Sequence, residues 1–123
     1  MNRQRYGRIL WVRLFVDRMK GRVSPLTPEA TGVYFRLFFA FMDRQGALPD
    51  DDRLLASIAQ VSATTWRRIR DEFEAHGIYE IRDGHIHDHI AQERIEEFIQ
   101  RSRQNTKNIG SRWDRTPRAE DAS

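Results

Sequence analysis

Cysteine is absent from the 123-residue chain, which excludes disulfide bonds and thiolate chemistry. No apolar run approaches the roughly 18–20 residues that a membrane span requires. The basic residues 1–8 precede an apolar segment, but Arg13 interrupts that segment and no small-residue cleavage site follows, so we expect no signal peptide. Together these absences favour a reducing compartment and predict a cytoplasmic protein that has no membrane partner.

Motifs for catalysis are also missing. The sequence contains no glycine-rich phosphate loop, no nucleophile elbow and no cysteine–histidine pair. We therefore expect that the protein is not an enzyme and that it has no cofactor and no small-molecule substrate.

Charge is unevenly distributed along the chain. Residues 1–22 carry seven basic groups and one acid, residues 23–100 carry eight and fourteen, and residues 101–123 carry six and three. The net charge of +3 therefore combines an acidic body with two basic ends. Such ends are typical of arms that neutralise phosphate, although terminal charge can also serve solubility alone.

Local signals predict three helices in the body. Thr27 is a suitable N-cap and Pro28 suits the first turn of a helix over Pro28–Arg44, whose wide apolar surface makes it the central helix. Its Gly32 suggests close approach by another backbone. Shorter helices are expected over residues 52–60 and 63–76, with Trp66, Ile69 and Phe73 facing inward. Residues 9–16 form either a strand or an irregular packing segment.

After Gly77 the spacing of apolar residues changes from the helical period to that of β-strands. A strand over residues 78–81, a turn at Asp83-Gly84 and a return strand over residues 85–90 predict a β-hairpin. A last helix begins near Ala91 and is expected to fade after Arg103. The fold class is therefore mainly α with a small β-hairpin (α+β), a winged helix-turn-helix with a C-terminal helix and a basic tail. We divide the chain into an N-terminal arm (1–8), a winged-helix domain (9–103) and a mobile tail (104–123).

Several short elements fall in an order that resembles the YdaU-type family of phage and prophage proteins. They are Trp11, Phe15-Val16-Asp17, Leu26-Thr27-Pro28-Glu29, Gly32-Val33-Tyr34-Phe35-Arg36-Leu37, Gly46-Ala47-Leu48-Pro49-Asp50-Asp51-Asp52, Leu55-Ala56, Val61-Ser62, Trp66-Arg67-Arg68-Ile69-Arg70 and Asp83-Gly84. The resemblance covers about residues 9–115 and implies similarity to the N-terminal winged-helix domains of phage replisome organisers. It implies a bacterial host cell and supplies no catalytic residue.

The second helix of the pair and the wing carry the candidate DNA contacts. Arginines at the start of such a helix can contact phosphates or guanine edges. Acids one turn later can instead neutralise them, through the pairs Arg67–Asp71, Arg68–Glu72 and Arg70–Glu74. The candidates here are Ser62, Thr64, Arg67, Arg68, Arg70, Arg82, His85 and His87.

The basic ends supply the remaining candidates. We expect DNA contacts from Arg3, Arg5, Arg101, Arg103, Lys107, Arg112 and Arg115. Trp113 lies within the basic C-terminal segment, where it would suit stacking on single-stranded nucleic acid, docking on a partner or packing on its own core.

Two clusters raise the question of a metal. His85, His87 and His89 alternate along the predicted return strand, and three imidazoles can hold zinc or nickel. The polar face of a wing explains them equally well, with Ile86 and Ile90 toward the core. Asp50-Asp51-Asp52 suits a helix start without any ion. We expect no metal site.

The sequence thus favours a phage-type DNA-binding protein, in replication initiation or in control of a phage module. Its partners would be double- or single-stranded DNA and replication proteins. The alternative is a protein-interaction adaptor or helicase-loader partner that uses the acidic body and does not bind DNA directly.

Overall fold

A computed structural model describes residues 7–119, with side chains for residues 7–108. Its helices are α1 (Val16–Val23), α2 (Pro28–Arg44), α3 (Asp52–Ala59), α4 (Ala63–Ala75) and α5 (His89–Ala119). Its strands are β1 (Leu48–Pro49), β2 (Glu80–Arg82) and β3 (His85–His87). The predicted α+β class is confirmed. Within this described part of the chain, no helix combines the length and the apolar character that crossing a membrane requires.

The central helix α2 has the predicted bounds because its ends are specified locally. The Thr27 hydroxyl accepts a hydrogen bond from the backbone N–H of Ala30, and Pro28 occupies the first turn. At the other end Gln45 adopts a left-handed conformation. The core forms around α2, and its largest fully buried members are Trp66, Tyr34, Phe38, Phe41, Phe73, Leu37, Leu55, Ile69 and Ile95.

Gly32 does not mark a close approach between backbones, contrary to the sequence-based expectation. A Cβ built at this position of α2 meets no atom within 4 Å. Gly32→Ala should therefore raise the free energy of unfolding by about 0.5–1 kcal/mol, because alanine loses less backbone entropy in a helix. Urea denaturation measures the change. Gly84→Ala is the control and should destabilise, since Gly84 has a φ of 72°; a loss of stability for Gly32→Ala would contradict the assignment.

Helices α3 and α4 form the predicted pair, joined by the short segment at residues 60–62. The Ser62 hydroxyl accepts from the backbone N–H of Thr65 at 3.0 Å and caps α4. Gly77, with a φ of 61°, ends α4 as predicted. The backbone N–H of Ile78 donates to the carbonyl of Phe73, so the chain turns at Gly77 toward the sheet.

The sheet has three strands rather than the two of the predicted hairpin, in the order β1-β3-β2. Asp83 and Gly84 both have positive φ and form the expected tight turn between β2 and β3. The additional strand β1 pairs antiparallel with β3, with Leu48 opposite Ile86. A strand of two residues is too short to show the alternation of apolar and polar residues that identifies strands in a sequence. It forms only because it pairs with β3, which is distant in the chain.

The return strand is shorter than predicted. It ends at His87, and α5 begins at His89, so His89 lies in a helix and does not continue the alternation of His85 and His87. Asp88 at the junction is buried, and its carbonyl accepts from the backbone N–H of Gln92. Helix formation at this junction therefore replaces the last residues of the expected strand.

Helix α5 is longer than predicted and includes most of the expected C-terminal tail. It continues through Ala119 instead of fading after Arg103. Residues 104–108 are polar and exposed, and contacts one turn apart, such as the 3.1 Å hydrogen bond from the Gln104 amide to the Asn108 side chain, support the helix there. Residues 120–123 lie outside the described part of the chain. Residues 7–15 have no regular structure, and they pack Ile9 and Val12 against the core.

A buried polar network connects α1, α2 and the start of α5. The Tyr34 hydroxyl donates to Asp88 Oδ2 at 2.7 Å, and the Arg22 guanidinium donates to Asp88 Oδ1 and to the carbonyl of Ile78. Burial, together with the Asp88 charge, raises the pKa of Tyr34 far above its ordinary value, so the phenol remains a donor. The network satisfies a carboxylate that is only 2% exposed.

Candidate nucleic-acid interface

The first two turns of α4 present three of the predicted contacts at the surface. Thr64, Arg67 and Arg68 are all exposed. Arg67 forms no ion pair with any residue whose side chain is described. Arg68 pairs with Glu29 of α2 at 2.8 Å, and both side chains are at least half exposed. Exposed pairs contribute only about 0–1 kcal/mol, so a phosphate can displace Glu29.

Two of the three expected pairs within α4 do not form. Glu72 does not neutralise Arg68, because it accepts from the backbone N–H of Thr27 at 2.5 Å and from the Thr27 hydroxyl at 3.1 Å. Asp71 is exposed and forms no ion pair with a described residue. The start of α4 is therefore more positive than the sequence pattern indicated.

Arg70, predicted as a DNA contact, is engaged by acids and is less accessible than Arg67 and Arg68. Its side chain is 20% exposed, and one guanidinium nitrogen lies 2.7 Å from Asp50 Oδ1 and from Asp52 Oδ1. The expected pair with Glu74 is also present, at 3.4 Å. These acids raise the pKa of Arg70 above its ordinary value, the hydrogen bond with Asp50 contributing most. Arg70 thus fastens α4 to the start of α3.

The aspartate run starts α3, as its position suggested. Asp51 is the N-cap and accepts from the backbone N–H groups of Arg53 and Leu54. Asp52 accepts from the indole N–H of Trp66 at 2.8 Å. This bond is the largest of the influences that hold the pKa of Asp52 below its ordinary value, with Arg70 adding to it. All three aspartates thus serve the geometry of the helix pair.

The hairpin of β2 and β3, which we call the wing, has its turn beside the start of α3. The backbone N–H of Asp50 donates to the carbonyl of Gly84 at 2.9 Å. Arg82 is exposed and lies 3.1 Å from Glu80, and His85 is half-buried with Nδ1 2.9 Å from the carbonyl of Asp83. The wing and the helix pair are therefore joined directly, and Arg82 is the most accessible cation of the wing.

His87 and its neighbours do not form a metal centre in the described residues. His85 and His87 are half-buried on β3 on either side of the buried Ile86, and His89 is exposed at the start of α5. No group of three or more histidine, aspartate or glutamate side chains that could hold an ion occurs between residues 7 and 108. The expectation of no metal remains a prediction about the purified protein.

The two basic ends of the chain meet, which the sequence did not indicate. Residues 11–18 run beside α5, where Arg13 pairs with Glu97 and Arg18 donates to both oxygens of Glu93 at 2.5 and 2.9 Å. The Arg101 guanidinium lies 4.5 Å from the centre of the Trp11 ring. The basic N-terminal segment and the start of the basic C-terminal segment are thus in contact at Trp11 and Arg101.

The other terminal candidates are distributed along α5 and beyond it. Arg101 is half-buried, while Arg103 and Lys107 are exposed on α5. Arg112 and Arg115 lie within the span of α5, but their side chains are outside the described part. Arg3 and Arg5 precede the described residues. Ser62 is exposed, but its hydroxyl is occupied in capping α4.

An exposed apolar patch along residues 10–16 is a feature that sequence analysis missed. Residues 9–16 were expected to form a strand or an irregular packing segment; they are irregular, and Ile9 and Val12 pack against the core. The large hydrophobic side chains left exposed here are Leu10, Trp11, Leu14, Phe15 and Val16, with Phe39 of α2. Two features of the sequence could have indicated this exposure: Arg13 interrupts the apolar run, and apolar and polar residues do not strictly alternate. An exposed patch of this kind commonly marks an interaction surface.

Comparison with known proteins gives one match. A family model described as a protein of unknown function, DUF1376, matches residues 10–96. No curated protein and no solved structure matches the chain. The matched range includes the start of α4, the wing and the segment that carries the apolar patch.

Proposed function

The chain belongs to the DUF1376 family of proteins of unknown function, and from this premise we propose that it is a DNA-binding protein of winged-helix type. The proposal includes the finer assignment to phage and prophage proteins of the YdaU type, acting in the cytoplasm of a bacterial host cell in replication initiation or in control of a phage module. The supporting observation is the exposed pair Arg67 and Arg68 at the start of a capped helix.

The order of elements supports the same proposal. In a winged helix a helix and a short strand precede the helix pair, and a hairpin follows it. The order α2, β1, α3, α4, β2, β3 and the pairing of β1 with β3 fit that arrangement. In it, the first turns of α4 enter the major groove and the wing contacts the backbone. Asp71 and Glu74 restrict the interface to those first turns, because they would repel phosphates farther along.

Replacing Arg67 and Arg68 together with alanine tests the proposed duplex interface. We expect affinity to fall at least about tenfold at low salt, and the dependence of log K on log salt to become shallower by about 0.9 for each phosphate that the variant no longer neutralises. Fluorescence anisotropy on two unrelated duplexes, each titrated with salt, measures both effects. A change in the relative affinity for the two duplexes would place α4 in the groove.

The matched control is Arg36→Ala, which removes an exposed arginine from α2. At physiological salt it should leave duplex affinity within about twofold, because a single charge away from the interface is largely screened there. If the double variant and the parent bind both duplexes equally, the start of α4 does not contact DNA.

The second candidate is a protein-interaction adaptor or helicase-loader partner. The exposed apolar patch of residues 10–16 favours it, because aromatic side chains are enriched where proteins bind one another. Failure of the parent protein to bind any DNA at low salt would make this candidate the better one.

A further inference from the structure

The indole ring of Trp11 is exposed and offers a flat surface on which another ring can stack. The side chain is 62% exposed, although tryptophan is usually among the most buried residues on average. The Arg101 guanidinium lies 4.5 Å from the ring centre and orients the indole by a cation–π contact. Much of the indole therefore stays in contact with water while its position is held by α5.

Positive charge around Trp11 is only partly neutralised. Arg13 and Arg18 are paired with Glu97 and Glu93. Arg8, Arg101 and Lys107 form no ion pair with any residue whose side chain is described. Of these three, Arg101 contacts Trp11, while Arg8 precedes Trp11 by three residues in the chain and the exposed Lys107 follows Arg101 by six residues on α5.

A shallow groove beside Trp11 contains a second exposed ring. Phe39 of α2 is also 62% exposed. The groove has a volume of about 380 Å³, and its lining residues are Ile9, Leu10, Trp11, Val12, Leu14, Phe38, Phe39, Met42 and Asp43. Asp43 is the one acid of this lining, so the groove itself is mainly apolar, and the Arg101 guanidinium lies against the ring of its Trp11.

We propose that this surface, formed by residues 8–16, Phe39 and the Arg101 region of α5, binds single-stranded nucleic acid, with an unpaired base stacked on Trp11. Open aromatic rings flanked by arginine and lysine are the combination that binds single strands, because every base has a flat face and every nucleotide a phosphate. The inference deepens the proposed nucleic-acid function, on which it rests, but names a different surface and a different substrate.

The same observations disfavour two other occupants. A second copy of the chain placed symmetrically on this surface would bring two clusters of like charge together, which costs free energy. Duplex DNA keeps its bases stacked on one another and offers no free base face to Trp11. A flexible single strand can stack a base on the exposed aromatic rings and place its phosphates near the cations.

The experiment measures the anisotropy of fluorescein-labelled dT20, rU20 and a 20-base-pair duplex with the full chain. Trp11→Ala should weaken binding of the single strands about 5- to 150-fold, the range expected for one stacked base. Trp11→Phe should recover a substantial part of that affinity. Tighter binding of dT20 or of rU20 would identify DNA or RNA as the source of the strand, and either result supports the surface.

Two controls separate this surface from the one on α4. Ile81→Ala removes an exposed apolar side chain from β2 and should not alter binding of dT20 or rU20. The double variant at Arg67 and Arg68 should lose duplex affinity and retain single-strand affinity. Circular dichroism checks that each variant is folded, and Arg101→Gln replaces Trp11→Ala if the latter unfolds.

The proposal is overturned if folded Trp11→Ala binds dT20 and rU20 as tightly as the parent. It is also overturned if the parent binds neither strand at low salt, or if Trp11→Ala changes only self-association in sedimentation equilibrium. Loss of single-strand binding in the α4 variant, with Trp11→Ala unaffected, would place all nucleic-acid contacts at α4. Each of these outcomes leaves the test of duplex binding intact.

Discussion

Replacing Asp88 with alanine is expected to lower the free energy of unfolding by about 3–5 kcal/mol. The buried carboxylate is the common partner of the Arg22 guanidinium and the Tyr34 hydroxyl. Its removal leaves the Arg22 charge, on a side chain only 11% exposed, without a counter-ion and leaves a buried phenol without an acceptor. Because a folded domain is stable by about 5–15 kcal/mol, this loss is a large fraction of the total stability.

Urea denaturation followed by circular dichroism measures this loss. Asp71→Ala, at an exposed aspartate on α4, is the control and should change stability by no more than about 0.5 kcal/mol. Adding Arg22→Met to Asp88→Ala should recover part of the loss, since it removes the uncompensated charge. A cost below about 1 kcal/mol for Asp88→Ala would show that the carboxylate is not buried as described.

Trp66→Ala should be comparably destabilising, by about 3–5 kcal/mol. The side chain is 1% exposed, and its ring centre lies 6.1 Å from that of Phe73. Its indole N–H also donates to Asp52 at 2.8 Å and so holds the start of α3 against α4. The substitution therefore leaves a large cavity and an aspartate with one fewer donor.

Thermal and urea unfolding of three variants test this assignment. Trp66→Phe retains most of the packing and loses the hydrogen bond, and it should cost less than Trp66→Ala. Trp11→Ala should change stability little, because Trp11 is exposed. A change below about 0.5 kcal/mol for Trp66→Ala would mean that the residue is exposed and available to a partner.

Much of the fold could be predicted because it depends on neighbouring residues. The hydroxyls of Thr27 and Ser62 each cap a helix within three residues, and Gly77 ends α4 one residue past its C-cap. The Asp83-Gly84 turn likewise depends on two residues that tolerate positive φ. The inward face of Trp66, Ile69 and Phe73 followed from helical spacing and is confirmed by their burial. Strand β1 escaped prediction, because it exists only through its pairing with β3.

The candidate site was predicted less completely, because exposure of a charge depends on distant residues. Arg67 and Arg68 were placed correctly on the exposed face of α4, and the expected pair of Arg70 with Glu74 is present. The further partners of Arg70, Asp50 and Asp52, are about 20 residues away and were not predicted. Arg68 likewise pairs with Glu29 of α2 and not with the expected Glu72 of α4. Spacing along one helix identifies the acids within reach of an arginine on that helix. It does not show which of those acids bind a residue from another part of the chain instead.

The sequence by itself determined the helix ends, the turn of the wing and the inward face of α4, because caps, turns and helical spacing operate over a few residues. The tertiary structure alone decided which cations are neutralised and that the two basic ends come into contact. Arg13 and Glu97 are 84 residues apart, and Trp11 meets Arg101 only because the irregular N-terminal segment runs beside α5. Charge and aromatic contacts depend on distances in space, which the folding of α5 against α2 sets.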